Sequence, residues 1–150
     1  MQNWAWGLSL TMLTIAIHAT GIALLAFAVE DFRHRIERWN RLGLGQVLTI
    51  IAGLIGGVGL LLGMLHGIEA AVWAAAYWWL GALNSPETAM LYSIDSISTR
   101  GASGLMVESH WRMMGALEAT DGMLLFGIST AFIFAVMQAY WPIITRHRRH

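Results

Sequence analysis

The sequence predicts an all-α integral membrane protein with three transmembrane helices and a short re-entrant helix and loop between the second and third. Three observations carry that prediction. Of the 150 residues, 57% are hydrophobic and 12% charged, where a soluble domain carries about 25% charged residues. Three regions are long and apolar enough to supply the roughly 20 helical residues that cross a bilayer core. The basic residues gather mainly in two clusters, Arg33, Arg35, Arg38 and Arg41 after the first region and Arg146, Arg148 and Arg149 at the C-terminus.

The first span is expected over Trp4 to Val29, with Trp4 and Trp6 at the headgroup level that amphipathic rings prefer. No Lys or Arg precedes its apolar run and no small-residue cleavage site follows, so it is expected to stay in the mature protein. It lacks the spaced Arg residues of a voltage sensor, and its His18 reads as a packing residue. The second region, Gln46 to Leu83, would measure about 57 Å as one straight helix. It is therefore either a tilted helix projecting past the membrane or two pieces broken near His66-Gly67. The Gly53/Gly57 and Gly59/Gly63 steps within it read as close helix contact.

The positive-inside rule puts both basic clusters in the cytoplasm and the N-terminus, which has none, outside. Between the clusters the chain must then cross an even number of times, so region two crosses once and the third span, Met114 to Trp141, returns. Asn84 to Met113 lies on the outer side. There "NSPET" marks a helix start, with Ser85 as N-cap, Pro86 at the first helical position and Glu87 in the first turn. The apolar-rich run that follows, to Ser98, is too short to span. It ends in "TRGASG", where irregular backbone at membrane depth survives only against protein or a water-filled cavity. In the third span Gly122 and Gly127 read as packing positions.

Charged residues within the apolar regions are the candidate sites. His66 and Glu69 stand one helical turn apart, which suits a metal pair or an intramembrane hydrogen-bonded pair. No third ligand is evident near them in sequence, so the expectation is a polar pair and no metal. Glu118 and Asp121 share a face at the outer start of the third span, as acids at a pore entrance or as helix-capping acids. No cysteine is present, so there is no disulfide, and a net charge of zero gives no basis for a nucleic-acid partner. No nucleotide loop, nucleophile with base or supported metal set appears, so neither an enzyme nor a cofactor is expected.

"AMLYSIDSISTRGASGL", Ala89 to Leu105, resembles without gaps the pore-helix and filter pattern of the potassium-channel pore module, in which A-L-Y-F-S-x-x-T-x-T-T-V-G-Y-G-D-hydrophobic is typical. "LEATDGMLLFGISTAFIFAV", Leu117 to Val136, resembles the inner helix of bacterial two-helix channels of that family. The likeness covers residues 46 to 141. Residues 1–45 then form an added N-terminal helix with a basic loop, and 142–150 a short basic tail, too short for a cytoplasmic ligand-binding domain.

The resemblance implies that Ala89 to Ser98 is the pore helix and Thr99 to Ser103 the filter strand. Ser93, Ser98, Thr99 and Gly101 match the family pattern. Arg100 stands where Val is usual, Ala102 where an aromatic is usual, Ser103 at the second Gly and Gly104 at the Asp. Family geometry would bring Asp95 and Arg100 together behind the filter. The implied function is a homotetrameric channel in a bacterial inner membrane that conducts inorganic ions, cations by default, with weak or unusual selectivity. Its partners would be membrane lipid, its own copies and the permeant ions. The alternative is a non-conducting assembly or regulatory subunit that keeps the pore fold.

Overall fold

A computed structural model describes residues 2–37, 43–101, 104–105 and 107–147. The described chain is helical: α1 (Gln2–Glu37), α2 (Leu44–Trp79), α3 (Pro86–Ile97), a single 3-10 turn at Ser109–Trp111, and α4 (Arg112–His147). Three of these helices are long and apolar enough to cross a membrane, and the chain is a membrane-embedded protein. Arg38, Arg41, Ala102, Ser103, Arg148 and Arg149 lie outside the described residues.

The second region is one unbroken helix. His66-Gly67 lies inside α2 without a break, because an intact backbone ladder is the cheapest way to satisfy peptide groups in an apolar surround. Its 36 residues extend about 54 Å, well past a bilayer core of about 30 Å. The helix opens at Gly43, whose N–H donates to Gln46 Oε1 at 3.1 Å. It closes in a Schellman turn: Gly81 adopts φ +70, its N–H donates to the Trp78 carbonyl, and that of Ala82 donates to the Tyr77 carbonyl.

The long helices form a bundle in which α1 and α4 run parallel and α2 runs antiparallel to both. At one end Leu10, Trp73, Tyr77, Tyr92, Trp111 and Met114 share a buried apolar cluster. At the other, Val29, Ile36, Val47, Ile51, Val136 and Tyr140 share a second, where the Tyr140 hydroxyl donates to the Val29 carbonyl at 2.7 Å. Facing outward, Met12 (74% exposed), Phe27 (75%) and Leu60 (68%) present apolar surface, as a lipid-facing or subunit-facing side does.

Short α3 starts as its sequence predicts, with Ser85 Oγ accepting from the Thr88 N–H at 3.1 Å and Pro86 in the first turn. It packs between α2 and α4. Ser93 Oγ reaches the Ala70 carbonyl at 2.7 Å, and Ser96 Oγ donates to the Gly115 carbonyl at 3.1 Å. Its C-terminal residue Ile97 joins Ala70 and Leu125 in a third buried cluster. A Cβ at Gly122 would collide with the Ile97 carbonyl, and one at Gly115 with the Tyr92 hydroxyl. Gly122 therefore packs as expected. Gly127 does not, having nothing within 4 Å of an added Cβ, and the same holds at Gly53, Gly57, Gly59 and Gly63. Among the described residues those α2 glycines make no close contact, so the contact that their spacing suggests is not one between this chain's own helices.

Gly122→Ala should destabilise the protein by about 1–3 kcal/mol in detergent unfolding, because the group it strikes is backbone and cannot rotate away. Gly127→Ala should be neutral or stabilising by up to about 1 kcal/mol, from helix propensity alone. Equal losses at the two positions would show that α3 does not dock on α4 at Gly122.

Candidate functional site

Two features combine polar chemistry with an unusual setting. One is the end of α3, and the other is a column of buried polar residues between the apolar clusters.

The column is built by helical spacing. On α2, Glu69, Trp73 and Tyr77 repeat at four-residue intervals; on α1, Thr14 and His18 do the same; α4 supplies Glu118, Asp121 and Ser129. Residues so spaced stack on one helix face, and the packing brings the three faces together. The tier nearest α3 holds Glu118, whose Oε2 accepts from the Tyr77 hydroxyl at 2.9 Å and whose Oε1 pairs with the Ser93 hydroxyl. In the next tier Asp121 Oδ2 accepts from Thr14 Oγ1 at 2.6 Å and from Trp73 Nε1 at 3.2 Å. In the third, His18 Nδ1 meets Glu69 Oε1 at 2.7 Å, and His66 Nδ1 lies 3.0 Å from Glu69 Oε2. Ser129 Oγ sits between the far nitrogens of the two imidazoles, 3.2 Å from His18 Nε2 and 3.1 Å from His66 Nε2. The Phe126 ring stacks on His66 at 4.2 Å between centroids. Glu69, Glu118 and Asp121 are 0%, 0% and 1% exposed, so bulk water does not compensate their charge.

These positions correct one expectation. Glu118 and Asp121 neither cap α4, which begins more than a turn earlier at Arg112, nor face an entrance; both point into the bundle. An acid in a span is stabilised by donors on a neighbouring helix, and here those donors come from α1, α2 and α3. His66 and Glu69 do share a face and do meet. Their third neighbour is His18, and one donor atom from each of the three lies within 4.8 Å of the others. Sequence reasoning missed the link between His18 and Glu69, together with Thr14, Trp73, Tyr77 and Ser129. The four-residue ladders were the available signal, but nothing local says that three ladders face each other.

At the end of α3 the chain makes a second Schellman turn. The Thr99 N–H donates to the Ser96 carbonyl at 2.9 Å and the Arg100 N–H to the Asp95 carbonyl at 3.0 Å. The left-handed residue that the motif requires is Thr99, at φ +57, where α2 uses glycine. Thr99 and Arg100 therefore wrap the helix end, instead of starting the extended strand that the resemblance implies. Gly101 (φ +80) and Gly104 (φ +83) take further left-handed positions. Ala102 and Ser103, the rest of the filter-like loop, lie outside the described residues. Arg100 Nη1 lies 3.5 Å from Asp95 Oδ1, the pairing that family geometry implied. The Asp95 side chain is 1% exposed and that of Arg100 70%, so the desolvated partner is the acid and the guanidinium stays largely open. Thr99, Gly101, Ser96, Tyr92 and Gly115 line an open cleft of about 370 Å³ beside α4.

A left-handed conformation costs a residue with a Cβ about 1–2 kcal/mol. Thr99→Gly should accordingly raise stability by about 1 kcal/mol in thermal unfolding. A loss would show that the threonine side chain contributes contacts worth more than the strain it brings.

Comparison with protein-family models, with curated proteins and with solved structures gives no match.

Proposed function

We propose that the chain is the subunit of a homotetrameric, potassium-channel-like ion channel with an altered filter, conducting cations passively and with weak or unusual selectivity. The observation that carries this reading is the seating of α3. Its last residue packs against Gly122, ten residues into α4, which is about 15 Å along that helix. On this reading α4 is a membrane span and α3 a re-entrant helix whose loop begins below the outer end of that span. One short loop cannot surround an ion, so several copies must. The C-terminal end of α3 would bring its partial negative charge toward a shared axis, which favours cations.

Further features support the reading. Leu91 and Ile94 on α3 and Met123 on α4 leave apolar surface beside the cleft, where an adjacent subunit would pack. The Asp95–Arg100 pair draws the guanidinium back toward α3, which keeps four positive charges off the axis. Gly101 and Gly104 supply two left-handed positions, but the second falls one residue beyond the family's second filter glycine. That shift accords with an altered filter. The N-terminus lies outside and the C-terminus in the cytoplasm on this reading, and three crossings put the termini on opposite sides.

One observation favours the second reading, a non-conducting assembly subunit: the turn at Thr99 and Arg100 closes the helix end where the family runs extended. Reversal potentials of the purified chain in planar bilayers, under sodium and potassium gradients, separate the two. A tetramer with weakly selective cation current is expected. A tetramer that passes no current would establish the second reading, and strong potassium selectivity would show that Ser103 tolerates the filter geometry. Orientation is testable by labelling Asn3→Cys in this cysteine-free chain, with reaction expected from outside only.

A double-mutant cycle with Asp95→Asn and Arg100→Gln should give non-additive losses of tetramer stability. The coupling expected is about 0.5–1 kcal/mol per chain, the range of a pair with one open partner. Simple additivity would remove the pair from the account of Arg100.

A further inference from the structure

The third polar tier forms a closed ring of four contacts: Glu69 to His18, His18 to Ser129, Ser129 to His66, and His66 back to Glu69. Each contact joins two atoms that can both accept a hydrogen bond, so four protons are needed to close it. A serine hydroxyl brings one and two neutral imidazoles bring one each, while an ionised carboxylate brings none. The ring is one positive charge short. The structure marks where: His66 Nδ1 and Glu69 Oε2, 3.0 Å apart, are both buried and neither has a hydrogen-bond partner.

Either a proton or a metal ion can make up the deficit, and the geometry separates them. A proton needs donor and acceptor in line, and this pair does not make that bond. A metal ion instead takes lone pairs that converge on a third point. If Ser129 accepts from both Nε2–H groups, both Nδ1 lone pairs turn toward the Glu69 carboxylate. That is repulsive unless a cation lies between them. Ser129 then fixes the tautomer and orientation of each imidazole through its far nitrogen. Two ligands on one tetrahedral zinc ion are about 3.3 Å apart, from bonds of about 2.0–2.1 Å. The contacts here are 2.7 and 3.0 Å, with all three donors inside 4.8 Å.

We propose that His18, His66 and Glu69 form a site for one divalent transition-metal ion of the zinc class, clamping α1 to α2 at the level of Ser129 on α4. Two imidazoles and a carboxylate suit such an ion, whereas magnesium and calcium take oxygen sets. Asp121 Oδ1, one tier nearer α3, is also buried without a hydrogen-bond partner. The proposal does not depend on conduction.

The test uses the full chain in detergent, stripped with chelator and then dialysed against zinc or cobalt. One ion per chain, tetrahedral cobalt absorption and a higher unfolding temperature with metal are expected. His18→Gln, His66→Gln and Glu69→Gln should each weaken binding by more than about 100-fold, and Ser129→Ala by about 10-fold. A variant with Gln at His34, His110, His147 and His150 should bind as the parent does. Because a ligand variant can fail to fold, the unmodified chain also decides the matter. Substoichiometric zinc or octahedral cobalt in it overturns the proposal and leaves the ring to a proton. Loss of binding in the four-histidine variant overturns it in favour of adventitious surface metal.

Discussion

Charge buried inside an apolar bundle has no water to turn to, and this sets most of what is distinctive in the protein. Glu69, Glu118 and Asp121 are essentially inaccessible, and an unpartnered carboxylate at that depth costs several kcal/mol. Each is therefore met by polar groups from other helices: Tyr77 and Ser93 for Glu118, Thr14 and Trp73 for Asp121, and the His18 imidazole for Glu69. In lipid, apolar packing alone gives little preference for one helix arrangement over another, since acyl chains are as apolar as leucine. The polar column supplies that preference. It fixes the rotation of α1, α2 and α4 about their axes, and the apolar clusters at either end fill in around it.

The column also fixes α3. Ser93 belongs both to that helix and to the Glu118 tier, so α3 is tied to the same network that holds the long helices. Backbone contact at Gly122 and the Ser96 bond to the Gly115 carbonyl then set its depth. The two Schellman turns show what is different about its end. α2 closes on a glycine, as backbone sterics favour, while α3 closes on a threonine at a backbone angle few β-branched residues adopt. Local strain of that kind persists where the surroundings over-determine it. In the proposed channel, Thr99 is the first residue of the loop that faces the axis.

In the proposed channel, a pore at the shared axis of four copies and the proposed metal ion inside each subunit would be separate in space but joined through the helices. His18 is the third-tier contribution of α1, which in the proposed channel is the helix added to the pore module. An ion there would bind that added helix to the module, and it would do so at the level where Ser129 reaches in from α4. The added helix then has a defined physical role as part of the shell that encloses the column.

Much of the architecture was legible in the chain itself. Hydropathy and length identify the three spans, because lipid leaves helices as the only economical way across. The Ser85-Pro86 start of α3 follows from capping chemistry. Even the polar column left a trace, in the four-residue ladders of α1 and α2.

Only tertiary structure decided the rest. Whether α2 breaks at His66-Gly67 depended on whether His66 and Glu69 could be buried against His18 of α1 and Ser129 of α4 with the backbone ladder intact, which is how they sit. The spacing of Glu118 and Asp121 puts them on one face but does not say toward what. Packing turned that face inward, to donors 25 or more residues away along the chain. Gly122 and Gly127 read alike in sequence, and they differ because a backbone carbonyl of α3 touches one and nothing touches the other. His18 became the third neighbour of His66 and Glu69 for the same reason: side chains 51 and 48 positions apart meet only when whole helices dock, and periodicity within one helix carries no information about its rotation against another.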